Sequence, residues 1–193
     1  MEARSLTTLV ATVLPRAWRR DSEWHGEGHW RCVAATGLSL ASVSGRVDRT
    51  LVFCFALLHD TRRENEAVDP KHGVRAAAFA GELRAEGVLP LAEPRFGSLV
   101  EALRLHSDGQ VTDDPTIGTC WDADRLHLPR VFIEPNPALF STSAALGAAP
   151  LSAAEALRED GPPDWDALVA LVDAAVSDWS DSSHFRNEVG TDT

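Results

Sequence analysis

Residues 51–58, Leu-Val-Phe-Cys-Phe-Ala-Leu-Leu, are the longest unbroken apolar run in the chain, and they pass without a turn residue into His59 and Asp60. A segment apolar on every side has to be buried on every side. Eight residues are too few for a bilayer, which takes about 20, so the run belongs at the centre of a folded core. Periodicity alone does not separate a buried strand from a buried helix. The polar continuation HDTRRENEAV has no Gly or Pro before Pro70, and that length predicts a helix running on past Asp60.

The rest of the chain follows helical logic. Alanine- and leucine-rich segments dominate, β-branched residues are sparse, tyrosine is absent and no Asn-Gly hairpin signal occurs. The expected fold is all-α. A first helix is predicted over 6–20, bent near Pro15, and a second from about His29. Helices ended by Gly87 and Gly109 follow, then one stopped by Pro129. Ser152 and Glu155 have the spacing of a capping box. Trp165, Leu168, Val169, Val172, Val176 and Trp179 form one apolar stripe. With 193 residues the chain makes a single domain, residues 1–180, with packing helices over 150–180. A polar tail over 181–193, containing His184, is expected to be flexible.

Charge and cysteine content narrow the function classes. A formal net charge of −11 disfavours a nucleic-acid polymer as partner. Lys71 is the only lysine, so local cationic sites must be built from arginine. Cys32, Cys54 and Cys120 are odd in number and sit in apolar surroundings, which predicts reduced, buried thiols and a cytoplasmic protein. The first twenty residues carry an early Glu2 and no small-residue cleavage site, so neither secretion nor a membrane anchor is expected.

Imidazole and carboxylate groups cluster at predicted helix ends: His25 and His29, His59 and Asp60, His72, His106, and Asp122 or Asp124. These are the ligands of divalent Mn, Fe, Co, Ni and Zn. Asp122 and Asp124 point about 200° apart on a helix, so only one of them faces a given ion. Arg63 lies four residues after His59 and three after Asp60, which on a continued helix puts it on their face as a phosphate clamp. Lys71, beside His72, offers a second positive charge. His25 and His127 are expected beside the ligands or facing solvent, not as ligands themselves.

The phrases HWRCV (His29), ALLHD (His59, Asp60) and DADRL (Asp124), in that order, resemble the HD-domain superfamily of metal-dependent phosphohydrolases over about residues 25–145. The resemblance implies a compact helical bundle in which His29, His59, Asp60 and Asp124 hold one metal, with Asp60 bridging to a second, and it selects Asp124 over Asp122. A subset of the superfamily adds two histidines, here His72 and His106, as further metal ligands or phosphate contacts. That order is shared by HD-type di-iron oxygenases. The pattern departs at His127, where many relatives carry another Asp.

Sequence and resemblance together lead to the expectation of a metal-dependent phosphohydrolase with one or two divalent transition-metal ions. Its substrate would be a small phosphate ester or anhydride, plausibly a nucleotide. Asp60, Arg63 and Lys71 would act in catalysis, and Arg63, Lys71, His72 and His106 would contact substrate. The alternatives are a di-iron oxygenase using O₂ and a non-catalytic module that binds nucleotide and metal.

Overall fold

The computed structural model describes the backbone of residues 2–184 and the side chains of residues 6–174. Among the described residues the chain forms eight α-helices and no strands: α1 (Glu2–Val13), α2 (Glu27–Val43), α3 (Arg49–Leu58), α4 (His72–Ala85), α5 (Arg95–Leu105), α6 (Pro115–Arg125), α7 (Ala148–Asp160) and α8 (Trp165–His184). The all-α expectation holds. Val176, Trp179, the His184 side chain and residues 185–193 lie outside the described residues. Helix α8 runs to His184, so 181–184 are helix where a tail was expected.

Helix α3 is the axis of the fold. Every residue from Thr50 to Leu58 is buried, as an all-apolar helix requires. It packs against α1, α2, α5, α6 and α8. Asp48 caps its start by accepting a hydrogen bond from the Leu51 N–H at 3.0 Å. Close approach of α2 depends on Gly37, where a Cβ would lie 2.6 Å from Val52 Cγ1. The α6 start is capped by Asp114, whose Oδ1 accepts from the Thr116 and Ile117 N–H groups. All three cysteines are buried free thiols, as expected. No helix among the described residues is long and apolar enough to cross a membrane.

Several local expectations need correction. The first helix stops at Val13 and passes through a 3₁₀ turn (Leu14–Arg16) that accommodates Pro15, so 17–20 are not helical. Helix α3 stops at Leu58, with His59 at its C-cap. The stop comes from outside the helix and from a local back-bond. The Trp18 N–H donates to the Thr61 carbonyl at 3.0 Å, and the Thr61 N–H and hydroxyl both turn back to the Leu58 carbonyl. Helix α6 ends at Arg125, before Pro129, which sits instead in a 3₁₀ turn (Leu128–Val131). Helix α7 begins at Ala148 after Gly147, which places Ser152 inside the helix and removes the capping box. The glycine stop occurs at α4, where Gly87 at φ 72° follows the Glu86 cap, but α5 ends at Leu105 with His106 as its cap, and Gly109 at φ 69° lies in the turn beyond it. In α8, Trp165, Leu168, Val169 and Val172 are buried as one stripe.

Candidate metal centre

Six side chains from five helix ends converge on one buried spot. His29 lies in the first turn of α2, His59 caps α3 with Asp60 next, His72 opens α4, His106 caps α5 and Asp124 is in the last turn of α6. The expected ligands are therefore brought together. They form two trios, His29–His59–Asp124 and Asp60–His72–His106, and within each trio the ligand atoms lie within 4.8 Å of one another.

Asp60 joins the two trios. Its Oδ2 lies 3.7 Å from His59 Nε2 and 3.9 Å from His29 Nε2, while its Oδ1 lies 3.3 Å from His72 Nε2 and 3.9 Å from His106 Nε2. Asp124 Oδ1 is 3.2 Å from His29 Nε2 and 3.9 Å from His59 Nε2.

Backbone carbonyls fix the tautomers of three imidazoles. His59 Nδ1 faces the Ala56 carbonyl at 2.9 Å, His106 Nδ1 the Leu103 carbonyl at 2.8 Å, and His72 Nδ1 the Asp69 carbonyl, each three residues back. A carbonyl only accepts, so each Nδ1 carries a proton, and a ring with no second proton turns its Nε2 lone pair inward. His72 Nε2 and His106 Nε2 then face each other at 2.7 Å. Two lone pairs at that separation repel unless a cation lies between them. A proton is a poor solution, because burial, followed by each ring's imidazole neighbours, lowers the basicity of both. A divalent metal ion would be a good one, since it would take up both lone pairs and relieve their repulsion. His29 and His59 Nε2 also face each other, at 3.1 Å. Asp124 Oδ1, which faces both His29 and His59 Nε2, is buried without a hydrogen bond, which in a metal-free protein would be costly. The donor set and the orphaned oxygen fit divalent metal ions.

The carboxylates are ionised. Burial alone would raise Asp60, but positive charge on the surrounding imidazoles, His59 first, and a hydrogen bond from His25 hold it well below the usual carboxylate range wherever those rings carry a second proton. Burial likewise opposes ionisation of Asp124, and His29 and Arg130 overcome it. His29 is held well below the usual imidazole range by burial and then by Arg130.

Helix geometry also decides between the two aspartates of α6. Asp122 faces away and accepts from the Ser141 and Thr142 N–H groups and the Thr142 hydroxyl, at 2.8–2.9 Å at best. Arg63 reaches the centre although its helix was expected to continue and does not. A turn closed by its N–H on the Asp60 carbonyl folds Nη1 to 3.5 Å from both Asp60 Oδ1 and His72 Nε2. Lys71 is the exception among the expected residues. Its side chain is exposed at the N-cap of α4, outside the buried cluster, because the α4 start turns only His72 inward.

Both other histidines are buried, which rules out the solvent-facing alternative. His25 Nδ1 lies 3.2 Å from Asp60 Oδ2. His127 Nε2 pairs with Thr36 Oγ1 at 2.9 Å, and burial, Arg158 and Arg130 lower it to about 3. Two contributors escaped the sequence. Asp69 supplies the carbonyl that orients His72, while its carboxylate accepts from the Glu64 N–H at 2.9 Å and from Arg75. Arg130 Nη2 lies 3.6 Å from Asp124 Oδ1 and 4.0 Å from Asp60 Oδ2. No spacing rule ties either residue to the motif, although an arginine in a chain with one lysine was the available hint.

Comparison of the chain with protein-family models, with curated proteins and with solved structures gives no match. The helical fold with its buried His/Asp cluster is compatible with an HD-like fold.

Proposed function

We propose that this chain is an HD-type metal-dependent phosphohydrolase that holds two divalent ions and acts on a small phosphate ester or anhydride. The observation that carries the proposal is the division of Asp60, one oxygen toward each trio, which is the arrangement of a carboxylate bridging two metals. Bound there, divalent ions supply the Lewis acidity that acidifies a water and polarises a phosphoryl oxygen.

The chain's own residues do the remaining work. His59, His72 and His106 present Nε2 from rings held by backbone carbonyls, so those three side chains need not reorganise to accept an ion. Asp60 and Asp124 are two negative charges, and Arg63 and Arg130 beside them are two positive ones, so the protein's charges at the centre cancel. Two divalent cations then leave about four positive charges in a buried place, which favours an anionic substrate. The apolar wall of α3, including Phe55 stacked on the His59 ring at 5.3 Å, keeps that charge poorly screened.

One feature favours a second function. Asp60, His72 and His106 form a two-histidine, one-carboxylate set of the kind used by non-haem iron oxygenases. The two functions separate in one experiment: metal content of protein purified without added metal, then assay of a nucleotide and sugar-phosphate panel for phosphate release and O₂ uptake. Phosphate release without O₂ uptake is expected. Two irons per chain with O₂ uptake and no phosphate release would replace the hydrolase with the oxygenase.

A further inference from the structure

We infer that Arg130 is the anion-anchoring residue of this site, donating from Nη2 to an oxygen of a tetrahedral substrate oxyanion beside the His29–His59–Asp124 trio. The inference rests on the metal-centre assignment and the phosphate substrate proposed above.

A guanidinium has five N–H donors in a fixed plane. Arg130 commits two of them to main chain: Nε donates to the Trp24 carbonyl at 2.8 Å and Nη1 to the His127 carbonyl at 2.9 Å. These bonds come from opposite sides of the molecule in sequence, so the guanidinium plane is set before any ligand arrives. The 3₁₀ turn Leu128–Val131, closed by Phe132 in the left-handed conformation at φ 61°, delivers the residue to that position. Nη2 is left over. Its nearest oxygens, on Asp124 and Asp60, are at 3.6 and 4.0 Å, beyond hydrogen-bond distance.

A charged group held this way could serve the carboxylates or a ligand, and the geometry separates the roles. To neutralise Asp124 best, the guanidinium would close into a bidentate pair at 2.7–2.9 Å. The two carbonyl bonds hold it back by almost an ångström instead. That leaves two Nη2 donors aimed at the place where an anion attracted by the metals must sit, with the side chain only 11% exposed. Arg63 is differently disposed. Its Nη2 is bound to the Ala67 carbonyl at 2.8 Å and its Nη1 lies within 3.5 Å of both Asp60 and His72, so it is occupied with the second trio.

Inorganic phosphate is the probe, titrated calorimetrically into the metal-loaded full chain, with ion content measured on the same samples. Wild type should bind phosphate. Arg130→Gln should weaken it about tenfold or more at unchanged ion content, and Arg130→Lys should recover part of the loss. Phosphate affinity unaltered by Arg130→Gln at full ion content would sink the inference alone, leaving Arg130 a neutraliser of carboxylates. So would wild type that takes up its ions but binds no phosphate, or an Arg130→Gln chain whose ion content falls in step with phosphate binding. A wild-type chain that takes up no divalent ion sinks the metal centre itself, and that outcome is read before phosphate is added.

Discussion

The two trios of the centre solve the same problem by different means. The Asp60–His72–His106 trio has both imidazoles oriented by backbone carbonyls, but one carboxylate. The His29–His59–Asp124 trio has only His59 oriented this way, and His29 Nδ1 has no partner, but it adds a second carboxylate and lies within 3.9 Å of Asp60 Oδ2 as well. One trio relies on preorganisation and the other on ligand number and charge. Outer partners that orient a ligand are worth about 10–100-fold in metal affinity. An additional anionic ligand in a buried site should outweigh that, so the His29–His59–Asp124 trio is expected to fill first.

The largest effect falls where the trios meet. Asp60→Ala removes the carboxylate that the two trios share, and both ions and all turnover should be lost while the far-ultraviolet circular dichroism stays helical. An Asp60→Ala chain that retains two ions would show that the trios are independent. Next in size, Asp124→Ala should remove the tighter ion, whereas His106→Ala should leave one ion bound with nearly wild-type affinity. Elemental analysis after gel filtration reads both variants, and the opposite pattern would reverse the filling order. Smaller again is Asp69→Ala. It releases the Glu64 N–H and Arg75, loosening the turn whose carbonyl orients His72. The weaker ion should dissociate about 10–100-fold more readily and the tighter ion should be unaffected, as read by competition with a metal-binding dye.

How much of this was legible in the sequence divides along the same line. The six ligands could be read because their residue types mark helix ends and their order resembles the HD-superfamily pattern, which chose among the candidates that local rules left open. His59 and Asp60 end an eight-residue apolar run, and Asp124 shares a helix with Asp122 at a spacing that lets only one face inward. Arg63 was found with the wrong geometry. It reaches Asp60 because α3 stops at Leu58, and that stop depends on Trp18 bonding Thr61 from more than forty residues away, which no local pattern records. Arg130 and the Asp69 carbonyl could not be read at all, since their roles depend on where the chain returns in space. Lys71 was over-read, because adjacency to His72 in sequence is not adjacency at a helix start, where successive side chains diverge.

Packing beneath each trio gives the last test of the comparison, through two glycines. A Cβ on Gly73, the second residue of α4, would overlap the Leu103 carbonyl oxygen and lie 3.3 Å from His106 Cε1. The Leu103 carbonyl is the group that orients His106. Backbone cannot yield without moving α5, so Gly73→Ala should cost about 1–3 kcal/mol, offset by about 1 kcal/mol of helix propensity, and should weaken the His72–His106 ion. A Cβ on Gly37 meets instead the end of a side chain, Val52 Cγ1 at 2.6 Å, with Ala123 Cβ at 3.5 Å. Val52 is fully buried and β-branched, so its methyl cannot turn aside without disturbing the α2–α3 contact, and Gly37→Ala should cost about 1–3 kcal/mol, offset by about 1 kcal/mol of helix propensity, while leaving the His72–His106 ion unaffected. Chemical denaturation of the metal-free proteins, followed by ion titration, measures both. A His72–His106 ion weakened equally by the two substitutions would mean that the Leu103 carbonyl contact has no particular hold on that pair, and the rigidity assigned to it would fall.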